Sequence, residues 1–249
     1  MTEAKGGVTA PASSTANANS VGFYSAVLTT AITIVTFGLA LAAIPISGAN
    51  CPADCVEYPY LDTVSQYPKD FLWMVPAMLL VLGYVTLVMS IHSYVSRHRR
   101  IFSQIGVAFA LIAAVVLLSD YYLQFAVVPV SLRNAETEGL ALLIQYNSHG
   151  VFLALEELGY LMMSLSFLFI GIALGRGSRL ESAIRWIFVL GFVLVTLSLT
   201  IIWISYALER LDRFEVMAIS IDWLVLIING VLLSILFRRQ RRQTEPQST

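Results

Sequence analysis

Residues 101–129 read IFSQIGVAFALIAAVVLLSDYYLQFAVVP and follow directly on Arg97-His98-Arg99-Arg100. Across this stretch the single charged side chain is Asp120. About 20 apolar residues in a helix cover the roughly 30 Å of a bilayer's hydrocarbon. Lipid offers no partners to backbone N–H and C=O groups, so a chain crossing it must satisfy them internally, as a helix does. The stretch therefore reads as a membrane crossing that starts on cations and carries one acid near its far end.

Moving outward from it, five further runs have the same character: 21–47, 71–95, 150–175, 186–208 and 216–237. The fold class expected is all-α, a polytopic membrane bundle of six transmembrane helices. With 57% hydrophobic and 12% charged residues among 249, the polar remainder is too small for a second soluble domain. The chain divides into a disordered cytoplasmic tail at 1–20, a transmembrane domain at 21–237 and a basic cytoplasmic tail at 238–249. The first 20 residues lack a basic stretch joined to a short apolar core and a cleavage site, so the first helix is expected to be an uncleaved anchor.

Charge is sorted along the chain. Arg97, Arg99 and Arg100 follow the second run, Arg176, Arg179 and Arg185 the fourth, and Arg238, Arg239, Arg241 and Arg242 the sixth. Basic segments stay in the cytoplasm. The alternate connections are acidic, with Asp54, Glu57, Asp62 and Asp70, then Glu136 and Glu138, then Glu209, Asp212 and Glu215. The two patterns agree only with six crossings and both termini cytoplasmic; the membrane expected is a prokaryotic inner membrane. Cys51 and Cys55, the only cysteines, fall in the first outer loop as CPADC. They form a disulfide in an oxidising exterior or remain two thiols in a turn shaped by Pro52. The run GLALLIQYN in the next outer segment is too short to cross and is expected to lie on the surface or cap the bundle. Pro76 is expected inside the second helix, where it would bend the axis, and Pro45 near the outer end of the first.

Asp120, Glu156, Glu157 and Asp222 are the only carboxylates within the six runs. An acid at the centre of a membrane helix costs about 2.5 to 3.5 kcal/mol on insertion scales, which directs such groups inward. Counted from the outer ends, Asp120, Glu156 and Asp222 lie roughly 9 to 14 Å deep at 1.5 Å per residue. One level is expected for all three. At helical spacing His149, Phe152, Glu156, Tyr160 and Met163 form a stripe, with Glu157 turned away by about 100°. Gln124 shares a face with Asp120, and Asn229 with Asp222. At least one acid of such a group is expected to keep its proton, because two carboxylates in low dielectric do not both ionise cheaply.

Absences narrow the chemistry. The only lysines are Lys5 and Lys69, outside every crossing, which removes a retinal Schiff base. There is no Walker A sequence, HExxH or GxSxG, and no nucleic-acid partner is indicated. Asp120, Glu156, Asp222 and His149 offer oxygen and imidazole donors for a divalent cation, but without a ligand spacing; no metal or cofactor is expected.

The segment Gln145-Tyr146-Asn147-Ser148-His149-Gly150-Val151-Phe152-Leu153-Ala154-Leu155-Glu156-Glu157-Leu158-Gly159-Tyr160 resembles one found in uncharacterised prokaryotic six-helix integral membrane proteins. The resemblance covers mainly the third and fourth helices and implies no activity. In layout alone, the acids at one depth are similar to those of sterol-isomerase-type membrane proteins. The function expected is an acidic pocket in the outer half of the bundle that binds or transports a small cationic or amphiphilic molecule, with Asp120, Gln124, His149, Glu156, Glu157, Tyr160, Asp222 and Asn229 around it. Alternatives are a membrane enzyme acting on a lipid-soluble substrate by acid/base chemistry, and an accessory subunit without a ligand, whose acids serve as interhelical hydrogen bonds.

Overall fold

The computed structural model describes residues 12–42, 47–48, 51–52 and 55–244. Its helices are α1 (Ala12–Ala42), α2 (Met74–Tyr94), α3 (Arg100–Ala126), the short α4 (Val128–Arg133), α5 (Val151–Ala173), α6 (Arg179–Tyr206) and α7 (Arg213–Thr244). No strand occurs among the described residues. Six helices, all but α4, are long and apolar enough to cross a membrane, the architecture of a multi-pass membrane protein.

These six form a closed ring in which α1 packs on α2, α2 on α3, α3 on α5, α5 on α6, α6 on α7 and α7 on α1. α5 also reaches across to α7 and is the most enclosed of the six, while α6, packed chiefly on its two neighbours, is the most exposed. Aromatic side chains fill the middle: Tyr84 packs edge-on to Phe167, and Phe167 lies against Phe188. Where helices press closest, a small residue makes room. A Cβ on Gly159 of α5 would sit 2.5 Å from the Leu117 side chain of α3, and one on Gly230 of α7 would sit 2.0 Å from Thr30 Oγ1 of α1.

Three of the buried threonines of α1 bond their own helix. Thr30, Thr33 and Thr36 donate to the carbonyls of Ala26, Thr29 and Ile32, four residues back, at 2.7, 2.7 and 2.8 Å. This satisfies the hydroxyl without a partner helix.

Several boundaries differ from the expected spans. α1 already begins at Ala12, so 12–20, expected as tail, is helical. α7 likewise runs through the arginines to Thr244, and the Arg241 guanidinium lies 5.4 Å from the Phe23 ring and 5.5 Å from the Tyr24 ring of α1. Once an apolar span has nucleated a helix, extending it past the span costs little. The third run is interrupted where Pro129, lacking an N–H, cannot donate back to Phe125; α3 ends at Ala126 and α4 begins at Val128. Pro76 falls in the first turn of α2, where its missing donor has no intrahelical partner anyway, so it caps rather than kinks. Pro45 lies outside the described residues.

Of the run GLALLIQYN, Leu140–Leu142 form a single 3-10 turn. Leu140, Ile144 and Tyr146 are buried with Val128 in a small cluster of their own. The segment thus plugs the end of the bundle opposite the chain termini. Near the same end Cys51 and Cys55 are joined by a disulfide that closes the CPADC loop.

Candidate functional site

The acids are arranged by how the helices stagger. α5 and α7 run in the same direction, and Ser164 Oγ of α5 donates to Asp222 Oδ1 of α7 at 2.7 Å. Ser164 is eight residues, about 12 Å of helical rise, further along α5 than Glu156. Asp222 therefore lies two turns deeper than Glu156, not level with it. On α7 the residue level with Glu156 is Glu215, and the two line the same cavity. On α3, which runs the opposite way, Tyr121 is level with Glu156, and neighbouring Asp120 is the one expected partner that does share its depth.

A cavity of about 430 Å³ opens at the end of the bundle opposite the termini. Four carboxylic side chains line it: Asp70 just before α2, Glu156 in the second turn of α5, and Asp212 and Glu215 at the start of α7. Among the described lining residues there is no Lys, Arg or His. Rings make up much of the remaining wall, from Phe37, Trp73, Tyr146, Phe152 and Trp223. The N-terminal ends of α5 and α7 both face this region, and their backbone dipoles favour the nearby negative charge. Gly48 forms part of the rim with φ +75°, and a Cβ there would meet the Asp212 carboxyl at 2.8 Å, so this position excludes a side chain twice over.

A hydrogen-bonded chain leads inward from the cavity. Tyr121 Oη donates to Glu156 Oε1 at 2.7 Å and lies 3.0 Å from Tyr160 Oη, which accepts from Trp223 Nε1 at 3.1 Å. Glu156 is fully buried, and its Oε2 has no hydrogen-bond partner. At the mouth, Tyr146 Oη donates to Asp70 Oδ2 at 3.0 Å. Burial, and next the adjacent Asp70 carboxylate, push the Tyr146 phenol well above its usual range, so it remains a donor at any physiological pH.

The other expected site residues divide among different places. Tyr160 belongs to the inward chain. Asp120 is buried beside Tyr121, outside the cavity lining, with Oδ2 unpartnered. Gln124 is buried one turn away and donates to the Leu143 carbonyl, so it fastens the plug rather than facing a ligand. Asp222 is fully buried beneath the cavity on Ser164. Asn229 donates to the Ile184 carbonyl at 3.3 Å and ties α7 to α6. Glu157 faces away from Glu156 and pairs with Arg210 at 2.5 Å in the link between α6 and α7. His149 is exposed and shares a separate small cavity with Glu157 and Arg210. No group of three or more His, Cys, Asp or Glu suited to a metal occurs among the described residues, and His149 stands apart from the other three donors proposed for one.

Glu215, Asp212 and Asp70 escaped the sequence reading because they fall in acidic connections, where a carboxylate needs no explanation. One signal pointed to Glu215: it lies seven residues before Asp222, which lies seven before Asn229, so all three share a helical face. No protein-family model, curated protein or solved structure matches the chain.

Proposed function

We propose that this is a cation-binding protein of the prokaryotic cytoplasmic membrane, with its termini in the cytoplasm and its cavity open to the exterior. The orientation follows from the arginines gathered at the termini end. The ligand is a small organic cation or cationic amphiphile. One observation carries this reading: four carboxylic groups and five aromatic rings line one cavity that contains no basic side chain among its described residues.

The nearby cations are turned elsewhere. Arg210 is held by Glu157, and Arg213 lies 4.2 Å over the Tyr206 ring while donating to the Glu209 carbonyl at 2.8 Å. A positive ligand would meet the Glu156 and Glu215 carboxylic groups in the cavity wall. Ring faces add about 0.5 to 2 kcal/mol for a cation set over them, and 430 Å³ lies within the range of small-molecule sites. The Glu156–Tyr121–Tyr160 chain gives a proton a route one turn inward, so transport of the ligand with a proton is the mobile form of the same function.

The test compares benzyltrimethylammonium with its uncharged isostere neopentylbenzene on the purified full chain, read by thermal stabilisation. Stabilisation by the cation alone is expected, with Glu156→Gln weakening it at least tenfold, about 1.4 kcal/mol. Equal responses to the two compounds, or an unchanged response in Glu156→Gln, would end this reading.

Glu156 and Glu215 facing one void also favour a second reading, acid/base catalysis on a lipid-soluble substrate. Mass spectrometry of a bound ligand after incubation separates the two: recovery unaltered supports binding or transport, and recovery as an isomer or hydrate supports catalysis.

A further inference from the structure

At the opposite end of the bundle, three arginines gather around the last turn of α5, close enough for their charges to act on one another. Arg99, just before α3, donates from Nη1 to the Leu174 carbonyl at 2.9 Å and lies 3.4 Å from that of Ile172. Arg176 follows Leu174 by two residues in the Gly175-Arg176-Gly177-Ser178 turn. Arg185 of α6 backs onto the same turn, its carbonyl 3.0 Å from where a Cβ on Gly171 would stand. Arg176 and Arg99 are the charges that act on Arg185, and both repel it.

The negative end of the α5 dipole accounts for one cation, and Arg99 already occupies it. It does not account for three. None of the three arginines has a carboxylate within ion-pair distance among the described residues. The one acid close by, Glu181, instead accepts from Tyr94 Oη at 2.6 Å and Ser178 Oγ at 3.2 Å. Arg185 Nε, moreover, is enclosed without any hydrogen-bond partner. A donor shut away from water and left unpaired is costly unless something fills its place.

Exposed Trp186 adjoins Arg185, whose guanidinium lies 5.8 Å from the ring. Tryptophan collects at the headgroup level of a bilayer, which sets the depth of this cluster. Guanidinium groups bind phosphate through paired N–H donors, and basic pockets between membrane helices hold anionic headgroups in this way.

We propose that Arg99, Arg176 and Arg185 form a site for a phosphate-bearing anion, supplied by an anionic lipid headgroup or by free phosphate. The site lies at the other end of the molecule from the acidic cavity and does not depend on it. The chemistry excludes zwitterionic headgroups as strong ligands, because their own cation would meet three like charges.

Native mass spectrometry of the full chain with phosphatidylglycerol, phosphatidylcholine and inorganic phosphate tests this. Phosphatidylglycerol is expected to stay bound where phosphatidylcholine does not. The double variant Arg176→Gln/Arg185→Gln should lose at least tenfold in occupancy-derived affinity, and Arg238→Gln/Arg239→Gln, exposed arginines on α7, should lose none. Competition by millimolar inorganic phosphate would support the site and identify phosphate itself as sufficient; no competition would support it with the lipid as the source. Equal losses in the two double variants, or equal retention of the two lipids, would overturn it. Arg176 is exposed, so Arg176→Gln alone, expected to lose about threefold, keeps the test open if the Arg185 change prevents folding.

Discussion

Asp222 is a carboxylic side chain held inside the helix packing, whereas Glu156, equally buried, lines a cavity. Asp222 Oδ1 accepts from Ser164, its Oδ2 has no partner, and it does not line the cavity. Ser164→Ala would remove its one hydrogen bond inside a packed interface. The expected cost is about 1 to 3 kcal/mol of stability, seen as a lower melting temperature in detergent, with binding of benzyltrimethylammonium unchanged. A loss of binding as large as that of Glu156→Gln would place Asp222 in the ligand site after all. Glu156 likewise accepts one hydrogen bond and leaves one oxygen unpartnered, but it lines the cavity. Both acids were legible as costly residues, but not as different in role, since composition and depth treat them alike.

Among the elements, α1 and α7 show most clearly what sets the stagger. They meet through Gly230 against Thr30, whose hydroxyl is fixed by its 2.7 Å bond to the Ala26 carbonyl, and through Gly22 against the Phe237 ring. Gly230→Val should force the two helices apart and cost about 1 to 3 kcal/mol, as overpacking does elsewhere. Thermal unfolding measures that cost, and a variant as stable as the wild type would show that this contact does not hold α1 in place. Such contacts fix which turns of α1 and α7 are level. The six spans themselves were readable from hydropathy because the bilayer demands a minimum apolar length. Their ends were less so: α1 and α7 extend into polar sequence that has no reason to stop being helical.

For the whole molecule, the six helices long and apolar enough to cross a membrane put the start of α1 and the end of α7 at one end of the bundle and the disulfide and the acidic cavity at the other. In right-side-out vesicles, a membrane-impermeant maleimide should label Cys51 and Cys55 after reduction with a phosphine and leave them unlabelled before it. Protease added from outside should spare tags at both termini. Labelling confined to inside-out vesicles would reverse the orientation proposed from the arginines, and cleavage of one tag only would contradict an even number of crossings.

The chain by itself determined that it forms six apolar helices with acids inside them and arginines at alternate turns. Those properties are imposed by the solvent, since hydrocarbon of fixed thickness rewards apolar length and penalises charge wherever it occurs. Only the tertiary structure decided which acids share a cavity. Depth counted from assumed helix ends contains no information about how far one helix slides or rotates against the next. That sliding is settled by close packing at residues such as Gly159 and Gly230, and it brings Glu215, Asp212 and Asp70 to Glu156 while leaving Asp222 two turns below.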